Sequence, residues 1–153
     1  MITPDWSVRL TEKQRLYALE IACKRNAEAE ERGYRMRSGL QRNQVYDSVG
    51  ALGEMAASLV LGFAWDGTEN PCDVGPYEIR STAHRAGHLI LSPRERHPDH
   101  PFVLVVGDNP FVLAGWMYAH EAQVKKYKRR KKTVQFWVPQ SDLHPMVDLP
   151  EYE

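Results

Sequence analysis

The sequence predicts a single α/β domain: a mixed central β-sheet flanked by helices. Three observations predict it. Two helix-like segments open the chain, four short strand-like segments follow between residues 77 and 117, and a further helix and strand close it. At 153 residues the length suits one domain. Hydrophobic residues make up 42% and charged residues 26%, ordinary values for a globular chain with a core. No internal linker or repeat divides residues 1–153. Residues 1–44 read as an N-terminal helical extension of that domain.

The first helix is signalled by the capping box Thr11-x-x-Gln14. Leu16, Leu19, Ala22 and Cys23 then recur at helical spacing, and Gly33 is the expected C-cap. A second helix is expected over 45–62, ending at Gly62. From Val49 to Trp65 its only ionisable residue is Glu54, and a helix apolar all round is normally buried. Leu52, Ala56, Leu59 and Val60 form one face. Glu54 lies opposite, among Gly50, Ala57, Ser58 and Leu61.

The segment Asp66–Pro76 is rich in turn dipeptides. Tyr77–Thr82 follows as a strand, with Tyr77, Ile79 and Ser81 on one face and Glu78, Arg80 and Thr82 on the other. His88–Leu91 is a second strand and Pro93–Pro101 a polar loop. Phe102–Val106 reads as a fully buried strand. Phe111–Met117 is a fourth strand, Tyr118–Lys126 a helix, and Thr133–Val138 a last strand before a Pro-rich end.

Two cysteines, Cys23 and Cys72, are too few for a disulfide framework, so a reduced, cytoplasmic setting is expected. The start lacks a signal-peptide pattern. No apolar run reaches the ~18 residues of a membrane span, so no membrane partner is expected. Formal charge is zero but unevenly placed. Lys125, Lys126, Lys128, Arg129, Arg130, Lys131 and Lys132 surround Tyr127 in one basic loop, 125–132. The rest of the chain holds 13 basic residues against 20 acidic. A solvated loop is one reading of such a block. A phosphate-binding arm for nucleic acid, with Tyr127 placed for stacking, is the other.

Asp73, Glu78 and Arg80 are the residues with chemistry at close spacing. A turn at Val74–Pro76 would bring the two carboxylates to one point, where a cation must offset their repulsion. Hard oxygen ligands suit Mg²⁺ or Mn²⁺, which lower the pKa of bound water and stabilise charge on a phosphodiester. A solvated ion pair is the plainer reading of acid-x-basic on a strand. Glu54 favours the metal, because a buried carboxylate needs its charge compensated. A weaker rival is zinc, drawn from Cys72, His84, His88, His97 and His100. His84 lies just past the Glu78 strand, within reach of a substrate. Neither a P-loop nor a dinucleotide loop occurs, and Cys23 lacks the surroundings of a nucleophile. Trp65, Trp116 and Trp137 read as core anchors.

Asp73-Val-Gly-Pro-Tyr-Glu78-Ile-Arg80 resembles the D-xn-E-x-K signature of the PD-(D/E)XK nuclease superfamily, with Glu54 matching the glutamate many members carry on the helix before the sheet. The resemblance spans about residues 50–123, and the Gly115-Trp116 pair makes it similar to a phage-encoded branch. It implies a restriction-endonuclease-like core and a metal-dependent DNA endonuclease or exonuclease, in the host cytoplasm if phage-encoded. Asp73, Glu78 and the Ile79 carbonyl would bind Mg²⁺ or Mn²⁺, and Glu54 a second ion or a metal-bound water. DNA is the expected partner, and a homodimer is a possible one, since a nuclease that cuts both strands often uses two sites. The departure is Arg80 in the lysine's place. Arginine stabilises phosphate charge but gives up no proton. The alternative is therefore a catalytically inactive nuclease fold that binds DNA or protein.

Overall fold

The computed structural model describes residues 6–31 and 40–151. Strand β1 is Ser7–Val8 and helix α1 is Glu12–Glu31. The capping box forms reciprocally: the Thr11 N–H donates to Gln14 Oε1 at 2.8 Å, and the Gln14 N–H donates to Thr11 Oγ1 at 3.1 Å. The expected cap at Gly33 lies outside the described residues. Helix α2, Leu40–Leu61, begins five residues before the expected start and ends where expected. Gly62 (φ +80°) closes it, with the Gly62 and Phe63 N–H groups both donating to the Ser58 carbonyl.

The strands that follow are β2 (Glu78–Thr82), β3 (Leu89–Leu91), β4 (Phe102–Gly107) and β5 (Phe111–Met117). Helix α3 is Ala119–Ala122; then come β6 (Lys128–Arg130) and β7 (Val134–Val138). The architecture is mixed α/β, with three α-helices among the described residues and a mixed sheet in the order β1-β5-β4-β2. In that sheet β2 runs parallel to β4, with Glu78 opposite Phe102, and the other pairs are antiparallel. Not all strands join it. β3, β7 and β6 form a second, antiparallel sheet.

Strand β4 explains the layering. Every residue in it is buried, so both faces need cover. Val103 and Val105 pack with Ala51, Met55, Ala56 and Ala18 of the two long helices. Phe102, Leu104 and Val106 pack with Leu89, Leu91, Val138 and α3 on the other side. The expected long helix at 118–126 is a single turn. Gln123 leaves helical geometry and its side chain donates to the Ser92 and Pro93 carbonyls, while Val124 is extended. One turn covers too little, and the second sheet completes the layer. No described helix is long and apolar enough to cross a membrane.

Candidate functional site

Asp73 is placed by a tight turn. Val74 and Tyr77 exchange backbone hydrogen bonds at 3.1 and 3.0 Å, and Gly75 takes the left-handed conformation (φ +53°) that glycine adopts without strain. The turn folds Asp73 back on the start of β2, where its Oδ2 accepts the Ile79 N–H at 2.9 Å. Glu78 opens that strand and is buried, 6% exposed. Arg80 Nη1 stands 3.7 Å from Asp73 Oδ2, 3.5 Å from Glu78 Oε2 and 3.1 Å from the Ile79 carbonyl oxygen. Three oxygens thus converge on one cationic nitrogen. Nη2 donates to Glu95 Oε2 at 2.6 Å, and the guanidinium lies over the Phe102 ring, 5.1 Å from its centroid. Burial, then the neighbouring Asp73 charge, push the Glu78 carboxyl up to about 7, against the pull of Arg80.

Glu54 does not join this group. It is buried on α2, but both its oxygens accept from Arg25 of α1, at 3.0 and 2.9 Å, and Trp65 Nε1 donates to Oε1 at 3.2 Å. Arg25 also donates to the Gly67 carbonyl at 2.6 Å. Arg25, 29 positions upstream, supplies Glu54 with a compensating charge. Ile79 packs toward the long helices, and Arg80 lies over Phe102 on the opposite face. Glu54 still feels Asp73: burial and the Asp73 charge hold its carboxyl above its ordinary value despite Arg25.

On the other side of Glu78 sits a group that spacing alone did not single out. One ligand atom each from Cys72, Glu78 and His97 lies within 4.8 Å of the others, a set that could hold a metal ion. His97 Nε2 is 3.8 Å from Glu78 Oε1. Cys72 is fully buried, and burial followed by Glu78 pushes its thiol up to about 12. Of the sequence's zinc candidates, Cys72 and His97 bring ligand atoms together with a carboxylate, while the His100 ring meets His97 edge-on, 5.9 Å between centroids. His100 is turned to the Pro76 carbonyl, 2.7 Å from Nδ1, and His88 packs against Trp137. His84 lies in the exposed turn after β2.

The basic run is structured rather than a loop throughout. Lys125–Tyr127 forms one 3₁₀ turn and Lys128–Arg130 the edge strand β6, paired with β7 through the turn at 131–133. Lys126 pairs with Asp142 at 3.2 Å, to which the Tyr127 hydroxyl also donates at 2.8 Å. Arg129 stacks on Trp137, 4.5 Å from the ring centroid. Lys125, Lys128, Arg130, Lys131 and Lys132 are exposed. The tryptophans divide: Trp116 is a core anchor, while Trp65 and Trp137 are half-buried and hold Glu54 and Arg129.

No family model, curated protein or solved structure matches the chain.

Proposed function

We propose that the chain is a metal-dependent phosphodiester hydrolase acting on DNA, a PD-(D/E)XK-type nuclease with a restriction-endonuclease-like core. The observation that carries this reading is the convergence of Asp73 Oδ2, Glu78 Oε2 and the Ile79 carbonyl on one cationic point. The order of α2, the Asp73 turn and the Glu78-x-Arg80 strand supports it. So does the exposed basic arm, whose contacts to phosphate would be independent of sequence.

The donor set fits a hard divalent ion: two carboxylates and a carbonyl, with a cation already drawn to them. Asp73, Glu78 and Ile79 would hold Mg²⁺ or Mn²⁺, which supplies an acidified water and offsets charge on the phosphate. The Ile79 N–H orients Asp73. Arg80 keeps a second anchor in Glu95, outside the convergence point. Fully protonated, it serves as a phosphate-binding charge and not as a base. Glu54 is outside this ligand set because Arg25 takes both its oxygens; the pair fixes α1 against α2 beside Asp73.

One observation favours a second reading. Arg80 Nη1 itself stands at the convergence point, so the carboxylates have a cation without any metal. A chain that keeps this arrangement would bind DNA without cutting it. The experiment is incubation of linear, supercoiled and branched DNA with Mg²⁺, Mn²⁺ or EDTA, beside Glu78→Ala. Metal-dependent cutting lost in the variant supports the hydrolase. Salt-sensitive binding with no cutting in any metal supports the second reading.

A further inference from the structure

Glu78 presents its two oxygens to different surroundings. Oε2 faces Arg80 at 3.5 Å. Oε1 is buried and no donor reaches it with hydrogen-bond geometry, although the Cys72 thiol stands close enough to interact with the Glu78 carboxylate. A buried acceptor left unmade is costly and calls for an explanation. Around it stand His97 Nε2, 3.8 Å from Oε1, and the Cys72 thiol, all three ligand atoms lying within 4.8 Å of one another.

The fold holds these residues in place from three directions. Cys72 starts the Asp73 turn, its N–H donating to the Gly75 carbonyl. The Glu78 N–H donates to the Pro101 carbonyl and so ties β2 to the end of the 93–101 loop. That loop carries His97 and is pinned on both sides of it. Glu95 accepts from Arg80 and Ser92, Arg96 pairs with Glu69 at 2.8 Å, and His100 Nδ1 meets the Pro76 carbonyl.

The geometry points to a binding site for a transition-metal ion of the zinc class, held by Cys72 Sγ, Glu78 Oε1 and His97, on the side of Glu78 away from Arg80. Sulfur and imidazole select zinc, cobalt and their neighbours over magnesium. Ligand atoms of a tetrahedral site with bonds of about 2.0–2.3 Å stand roughly 3.3–3.8 Å apart, so closure by at most about 1–1.5 Å completes it. Three protein ligands leave the fourth position to water or a substrate atom. Binding forms the metal–sulfur bond and releases the Cys72 proton to solvent. The ion satisfies the orphaned Oε1 and leaves Oε2 to the oxygen slot, so Glu78 is a carboxylate shared between two cation positions of different chemistry. The site stands without the hydrolase reading, since it is a binding property tested without DNA.

The test is a titration of the chelator-stripped full chain with Co²⁺, read by absorbance. One equivalent should bind and produce a thiolate-to-cobalt charge-transfer band, and Zn²⁺ should displace it. Cys72→Ser should abolish the band. His97→Ala should weaken binding more than about tenfold, the lower bound of what even an outer partner of a metal ligand is worth. His97 lies on a loop with its side chain 29% exposed, so this variant keeps the fold, which a matching melt of the stripped protein verifies. The proposal is overturned by absence of the band in the wild type, by a band that survives Cys72→Ser, by wild-type affinity in His97→Ala, or by complete displacement of Co²⁺ by excess Mg²⁺.

Discussion

Replacing Glu78 by Gln tests the electrostatics at the centre of the site. Burial and Asp73 move this carboxyl from 4.5 to about 7. The folded chain therefore holds the proton more tightly than the unfolded chain does. That contribution to stability is fully present below about pH 4.5 and is lost as pH rises through about 7. At about 1.4 kcal/mol per tenfold, the gap between the two values is worth about 3 kcal/mol. The side chain is 7% exposed, so solvent screening takes little from this figure. Glu54, whose carboxyl is also held up by burial, adds a slope of the same sign that both proteins share. The assay is thermal or urea denaturation of wild type and Glu78→Gln in chelating buffer, from pH 4.5 to 8. The variant should gain about 3 kcal/mol on the wild type across that range. For a chain of this size that is about 6–12 °C in melting temperature. Parallel curves, or a wild type that gains on the variant as pH rises, would refute the reasoning.

Arg25→Ala should cost about 3 kcal/mol at pH 7, the low end for removing one partner of a buried pair, because Arg25 is itself about a third exposed. The loss should shrink toward pH 4.5 as Glu54 takes up a proton, and Glu54→Gln should cost less; urea denaturation at both pH values reads this, and equal losses in the two variants would contradict it. Gly53→Ala should destabilise by about 1–3 kcal/mol, since a Cβ there drives into the Ser81 side chain where α2 meets β2; a melting temperature within error of wild type would contradict the packing. Replacing Lys128, Arg129 and Arg130 together by alanine should make DNA binding less sensitive to salt, the log–log slope falling by about one for each phosphate these side chains neutralise. Fluorescence anisotropy over a salt series measures that, and an unchanged slope would remove β6 from the interface.

How much of this was legible in the sequence depends on how far apart the deciding residues lie. The start of α1 was fully local, since Thr11 and Gln14 cap each other over three positions. The end of α2 at Gly62, strands β4 and β5, and the burial of β4 followed from composition and pattern. The meeting of Asp73 with Glu78 and Arg80 was visible because one short turn makes it. Arg25 was not legible as the partner of Glu54, for it stands on a different helix and its neighbourhood reads as a solvated surface. The pairing of His97 with Cys72 and Glu78 was equally hidden. It depends on how the 93–101 loop is pinned; His97 and His100 do meet edge-on, but His100 Nδ1 is turned to the Pro76 carbonyl and the ligand group takes Glu78 instead. The split into two sheets was missed because β3 and β6 have three residues each and β1 two, so pairing partners decide them rather than propensity.

The proposed divalent-ion slot for phosphodiester hydrolysis is formed by Asp73, Glu78 and the Ile79 carbonyl. Its most direct test is the rate of supercoiled-DNA cleavage in Mg²⁺ and Mn²⁺ for wild type, Asp73→Asn and Glu54→Gln, with EDTA as the blank. The account predicts metal-dependent cutting by the wild type, its loss in Asp73→Asn, and cutting that persists in Glu54→Gln. No cutting by the wild type in either metal, or undiminished cutting by Asp73→Asn, would contradict it.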